Sequence, residues 1–343
     1  MTTNEIKEIK QLLSSPKNLV IVPHRNPDGD AVGSSLGLLH FLQKMDHKVT
    51  VVAPNDFPDF LKWMPQTNKV LKYDVQNRQS KRAIDEADFI FLLDFNALHR
   101  TGSDMQSYLE KYKGDFIMID HHQQPDAIAR FTYSDTSICS TCQMVYHFIE
   151  KLEMVDLVDA AIASCLYAGI MTDTGSFRFA STTSTTHRII ADLIDKGAEN
   201  AKIHNQVYDT NSIGRLHLLG VAMNNLVVIP EYNAAYITMT RKELDAHDFQ
   251  KGDTEGVVNY ALSVKGIVLA AIFIEDPDQG IIKISLRSKG SFSVNKFARN
   301  HFDGGGHDNA SGGRTELSIE ETVEKFVSLL PQYKDDLSVS YEN

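Results

Sequence analysis

The sequence predicts an α/β fold in two parts, an N-terminal domain on a parallel sheet and a smaller C-terminal α/β domain with a mixed sheet. Three observations carry this. Residues 19–52 read strand, loop, helix, strand, which is the unit that builds parallel sheets. Two continuous apolar runs, Phe89-Ile90-Phe91-Leu92-Leu93 and Phe116-Ile117-Met118-Ile119, have the character of central strands covered on both faces. After residue 226 the pattern changes to closely spaced strand pairs, and 343 residues exceed one ordinary core.

Taken in order, Ile6, Ile9, Leu12 and Leu13 have helical spacing over 4–14, with Ser14-Ser15-Pro16 as a stop. A strand at 19–22 runs into His24-Arg25-Asn26-Pro27-Asp28-Gly29-Asp30, where Pro27 and Gly29 forbid a regular element. Val32, Leu36, Leu39 and Leu42 then define a helix over 31–45, followed by a strand at 48–52. Short helical pieces are expected near 60–63 and 82–84. The two apolar strands come next, the first running into Asp94 and the second into Asp120-His121-His122. Helices are predicted over 140–152 and 156–171, the second apolar nearly all round and stopped by Gly175. A helix over 185–195 and a long continuous one over 201–223 follow. The last part reads as strands at 226–229, 234–239, 267–274 and 281–287, with helices near 256–264, 293–300 and 319–330.

Composition narrows the class. With 42% hydrophobic and 23% charged residues the chain is an ordinary globular sequence. Its net charge of −11 argues against a broad surface for long nucleic acid, while leaving room for a short phosphorylated ligand held by a few cations. No apolar run reaches the length of a membrane span, and Met1-Thr2-Thr3-Asn4-Glu5 lacks the marks of a signal peptide, so a cytoplasmic location is expected. Cys139 and Cys142 have the two-residue gap of a zinc site, but no second Cys or His pair follows at the matching spacing, and a packing role is expected for them.

The chemistry concentrates at predicted strand ends. His24, Asp28, Asp30, Asp94, His121 and Asp173 come from four separate segments, with Asp120 and His122 adjacent to His121. In an open α/β sheet, groups at the carboxyl ends of strands share one crevice. Carboxylates with two imidazoles suit Mn²⁺ or Mg²⁺, with Co²⁺ and Zn²⁺ also open. Six such groups are too many for one ion that keeps a water position, and two ions sharing a carboxylate account for them. Pro-Asp-Gly-Asp is also an ordinary turn, and residues 24–30 alone fit either reading. Arg100, close behind Asp94, reads equally as a phosphate holder or a solvated arginine. Gly304-Gly305-Gly306-His307 allows backbone amides to approach an anion, and is also the pattern of a flexible loop. Arg287, at a strand end, is a second cation of this part.

These motifs, in this order, resemble the DHH phosphoesterase family: His24, Asp28 and Asp30 in the first loop, Asp94, the triplet Asp120-His121-His122, Asp173, and the Gly304–His307 segment typical of a DHH-associated C-terminal domain. The size is most similar to the bacterial nanoRNase and pAp-phosphatase branch. The resemblance implies a DHH catalytic domain over 1–195, a helical linker over 196–224 and a substrate-binding domain over 225–343, with a cleft between the domains. It implies one Mn²⁺ on His24, Asp28 and Asp94 and another on Asp30, Asp94, His121 and Asp173, with Asp94 bridging. His122 and Asp120 then serve the scissile phosphate, and Arg100, Arg287, Gly305, Gly306 and His307 hold the nucleotide. Ala310-Ser311 departs from two alanines in many relatives.

The implied activity is hydrolysis of very short RNA (nanoRNA) and of 3′-phosphoadenosine 5′-phosphate (pAp). A cyclic- or linear-dinucleotide phosphodiesterase is the alternative within the family, and a nucleotide sensor without turnover is the alternative outside enzymology. A long-strand exonuclease and a pyrophosphatase fit less well. No membrane partner is expected, and a homodimer is among the assembly states left open.

Overall fold

In the computed structural model, which describes residues 1–250, 252–276 and 280–342, the chain divides into two units, Met1–Thr210 and Asn211–Asn343. The first is built on β1 (Asn18–Pro23), β2 (Lys48–Ala53), β3 (Leu71–Lys72), β4 (Phe89–Leu93), β5 (Asp115–Asp120) and β6 (Phe131–Ser134). These lie in the order β3-β2-β1-β4-β5-β6, every neighbouring pair parallel. Its helices are α1 (Thr3–Leu12), α2 (Gly29–Lys44), α3 (Asn77–Asp85), α4 (Ser103–Leu109), α5 (Thr141–Lys151), α6 (Ala160–Asp173), α7 (Ser184–Asp195) and α8 (Asn200–Tyr208).

The strands are apolar throughout because both faces are covered. Ile21, Phe91, Ile117 and Ile119 pack on one side with Leu36, Phe41, Phe148 and Leu166. Val20, Val22, Ile90, Leu92 and Met118 pack on the other with Ile84, Met105 and Leu109. Alternate residues of each strand thus serve two cores. The strand order reverses between β1 and β4, the place where such sheets open a crevice. Pro23 lies opposite Leu93, and Leu93 opposite Ile119. The residues that follow, His24, Asp94 and Asp120, therefore stand side by side.

Two glycines set the depth of α2 against α6. A methyl group on Gly33 would come within 2.6 Å of the Cys165 carbonyl oxygen, and one on Gly37 within 2.6 Å of Leu166. Without side chains there, the two helices approach closely enough to place Asp30, at the start of α2, in the electrostatic field of Asp173, at the end of α6.

The second unit contains α9 (Ile213–Asn224), β7 (Val227–Ile229), β8 (Ala234–Met239), α10 (Arg241–Asp245), α11 (Val258–Ser263), β9 (Leu269–Asp276), β10 (Ile281–Ser288), α12 (Val294–His301), β11 (Gly305–Gly306), β12 (Ala310–Thr315), α13 (Ile319–Leu329) and α14 (Lys334–Glu342). Its sheet runs β11-β12-β10-β9-β8-β7. Among the described residues β8 and β9 pair in parallel and the other pairs are antiparallel. A parallel sheet followed by a mixed sheet is the fold class read from the sequence.

Four details differ from that reading. The continuous helix over 201–223 is two helices, because the chain leaves helical geometry after Tyr208 and Ser212 caps a new start by accepting from the Arg215 amide. The helix expected over 156–171 begins at Ala160, where the Asp159 carboxylate takes the amides of Ala161 and Ile162, and runs on to Asp173. β3, β6, β12, α4, α10 and α14 were not anticipated. The glycine segment is a hairpin rather than an irregular loop: Gly305 pairs with Gly312 and Gly306 with Ser311, and a methyl group on Gly304 would meet the Gly312 carbonyl oxygen at 2.0 Å.

Candidate metal centre

The Asp28 carboxylate has a local role before any other: as the cap of α2 it accepts the amides of Asp30 and Ala31, each at 3.1 Å. Asp30 is fully enclosed, and the start of α5 is aimed at it. The amide of Thr141 donates to one oxygen at 2.6 Å and that of Cys142 to the other at 2.8 Å. Amides in the first turn of a helix have no partner within it, which makes that end a natural seat for a carboxylate. Thr141 also donates its hydroxyl to Asp94 Oδ1 at 2.9 Å. Asp94 itself has φ +65°, which turns the chain sharply off β4.

The two oxygens of Asp94 face different histidines. Oδ2 is 3.5 Å from His24 Nε2 and Oδ1 is 3.5 Å from His121 Nε2. His24 Nε2 also lies 3.8 Å from Asp28, and His121 Nε2 lies 3.7 Å from Asp30 and 3.6 Å from Asp173. Both rings are pinned at their other nitrogen: His24 Nδ1 is 2.9 Å from the Arg25 carbonyl oxygen, and His121 Nδ1 is 3.2 Å from that of Ile138. This assigns a proton to Nδ1 and turns Nε2 toward the carboxylates. His122 is held differently, with Nδ1 2.7 Å from Asp120 Oδ1.

A lone pair facing carboxylates is repulsive, and only a proton or a cation relieves it. Burial pulls His24 down, but Asp28 and Asp94 outweigh it and push the imidazole up to about 10. Burial, then the charges of Asp94 and Asp173, push Asp30 well above the carboxylate range. Asp173, with 27% of its side chain exposed, is pushed up to about 6, by burial first and then by Asp28 and Asp94 against the pull of His121. Asp94 is buried too, yet the imidazoles around it hold it well below its usual range. The cluster therefore carries more negative charge than its own cations balance.

The donors suit a divalent ion. His24, Asp28 and Asp94 form one group with donor atoms close enough to share a cation, and Asp30, Asp94 and His121 form another. Octahedral bonds of about 2.1 Å space adjacent donors about 3 Å apart, so separations of 3.5–3.8 Å close with a small inward movement. Asp120 Oδ2 is buried with no hydrogen-bond partner among the described residues, a further acceptor in a region short of positive charge.

The other residues named from the sequence are placed as follows. Arg100 lies on the short helical turn Leu98–Thr101, and its carbonyl accepts from the Arg25 amide at 2.8 Å. It therefore sits against the opening loop. Arg287, Gly305, Gly306 and His307 belong to the second unit, Arg287 opposite Ala310 on β12 and His307 in the hairpin turn, its amide 2.8 Å from the Ala310 carbonyl oxygen. Sequence reasoning missed Thr141 and the α5 amides that hold Asp30. Ser140, which caps α5, was the available signal, since an uncommitted helix start near acidic loops is an anion seat. The three cysteines are free and buried, in keeping with a packing role. Among the described residues no helix is long and apolar enough to cross a membrane.

Residues 18–170 match the DHH family N-terminal domain and residues 232–335 the DHHA1 domain. The chain is 29% identical to a probable bifunctional oligoribonuclease and PAP phosphatase NrnA of Streptococcus mutans, over 94% of this chain and 97% of the relative. It is 27% identical to the bifunctional oligoribonuclease and PAP phosphatase NrnA of Thermus thermophilus, over 93% and 90%. A crystal structure of an exopolyphosphatase-related protein from Bacteroides fragilis superimposes with a TM-score of 0.93 at 42% identity, covering 98% of each chain.

Proposed function

The chain belongs to the DHH phosphoesterase family, and from that premise we propose that it is a metal-dependent hydrolase of very short RNA and of pAp. The observation that carries the reading is Asp94, whose two oxygens each face a different histidine at 3.5 Å. His24, Asp28 and Asp94 would hold one divalent cation, and Asp30, Asp94, His121 and Asp173 another, with Mn²⁺ first and Mg²⁺ or Co²⁺ also matched by the donors. Such a pair lowers the pKa of bound water and neutralises charge on a phosphoryl group.

The remaining residues are assigned by what they touch. Asp120 fixes the His122 ring through its short bond to Nδ1, so that His122 serves the phosphate in a set orientation. Thr141 steadies Asp94, and the α5 amides steady Asp30. Arg100, in the first unit, is proposed as a phosphate contact. Arg287, Gly305, Gly306 and His307 are proposed as nucleotide contacts of the second. The relatives named above support the substrates.

Turnover with Mn²⁺ on pAp, the dinucleotide pApA, cyclic di-AMP and pyrophosphate tests the proposal. Hydrolysis of pAp and pApA is the expected outcome. Activity confined to cyclic di-AMP or to pyrophosphate would replace it.

A further inference from the structure

Two residues after Asp173 the backbone takes positive φ at three successive residues, Gly175 at +56°, Ser176 at +60° and Phe177 at +66°. Glycine adopts this region freely, but serine and phenylalanine do not. The turn is held from several sides: the Ser176 amide donates to the Met171 carbonyl at 2.8 Å, the Phe177 amide to Thr174 Oγ1 at 3.1 Å, and the amides of Arg178 and Phe179 to the Thr174 carbonyl at 3.0 and 3.1 Å. Phe177 anchors it, with its ring 5.8 Å from that of Tyr167 and 6.0 Å from that of His187, centroid to centroid.

The next two side chains do not contribute to the core. Arg178 and Phe179 are both exposed, and Phe179, at 38%, is the one exposed phenylalanine among the described residues. Its ring rests over Gly175, where a methyl group would come within 2.5 Å of it. Among the described residues Arg178 uses Nε alone, donating to the Gly175 carbonyl at 2.8 Å, which leaves the donors of both Nη groups available. The structure thus offers, five and six residues beyond a proposed metal ligand, a guanidinium fork and an aromatic ring on one hydrogen-bonded turn.

We propose that Arg178 and Phe179, on the turn that follows Asp173, form a nucleotide-holding subsite, with Phe179 stacking on a nucleobase and Arg178 holding a phosphate of the bound nucleotide. An aromatic face stacks on any base, and a guanidinium fork matches phosphate oxygens in pairs. The subsite selects phosphoesters that carry a base, with little preference among bases. It rests on the phosphoesterase reading above and adds to it the means of telling a nucleotide from a bare phosphoanhydride.

The test compares kcat and KM on pApA and on its analogue lacking one base, with Mn²⁺, for wild type, Phe179→Ala, Phe179→Tyr, Arg178→Ala and Arg178→Lys. Phe179→Ala is expected to raise KM for pApA roughly 5- to 100-fold, with a smaller rise for the abasic analogue, while Phe179→Tyr stays near wild type. Arg178→Ala is expected to raise KM for both substrates by about the same factor, partly restored by Arg178→Lys. Equal effects of Phe179→Ala on the two substrates, or none, overturn the subsite while wild-type turnover upholds the parent reading. A wild-type enzyme inert on pAp and pApA overturns both. Manganese content equal to wild type in each variant shows that the neighbouring cluster has folded.

Discussion

Asp94 serves two partners because of where its backbone places it. With φ at +65° directly after β4, its carboxylate turns into the space between His24 and His121, and the Thr141 hydroxyl fixes one oxygen. A neighbouring residue tests how far orientation matters. Asp120 is fully buried and bound to His122 Nδ1, so Asp120→Asn keeps the shape but loses the charge that holds the imidazole. The expected outcome is a kcat lowered roughly 10- to 100-fold with manganese content retained; an unchanged kcat removes Asp120 from the mechanism. At this scale much was legible in the sequence, because His24, Asp28, Asp30, Asp94 and His121 follow strands or sit among turn formers. Thr141 was not legible: it lies 111 residues from Asp30, and only the packing of α5 brings its amide there.

Helix starts and close helix contacts turn those residues into a cluster. α5 points its first amides at Asp30, and α2 lies against α6 at glycine positions. Gly33→Val is accordingly expected to destabilise the protein by about 1–3 kcal/mol, since its Cβ would meet the Cys165 carbonyl oxygen at 2.6 Å. A lower melting temperature together with weaker manganese binding is the predicted pair of effects; a variant as stable as wild type shows that the helices have room to part. Long apolar strands such as Phe89–Leu93 were readable because burial on both faces leaves no other pattern. β12 was not, because Ala310-Ser311-Gly312-Gly313 has low strand preference and is held by pairing with β10 and β11. The break after Tyr208 was missed for a related reason: apolar spacing persists on either side, and only the Ser212 cap marks the new start.

For the molecule as a whole, two units with separate cores divide the proposed work. The first holds the acid and imidazole cluster, and the second carries His307 in a hairpin made by backbone bonds. The His307 carbonyl accepts from Ser311 Oγ at 2.8 Å and its amide donates to Ala310, so His307→Ala keeps the hairpin. The variant is expected to raise KM for pAp about tenfold, the loss of one good hydrogen bond to a charged group, with kcat near wild type. Unchanged saturation behaviour excludes His307 as a nucleotide contact. The central claim concerns the shared carboxylate, and equilibrium manganese binding by isothermal titration measures it most directly. Wild-type protein is predicted to bind two Mn²⁺ per chain and Asp94→Ala to lose both sites with its turnover. A single site in wild type, or two undiminished sites in Asp94→Ala, would contradict the account.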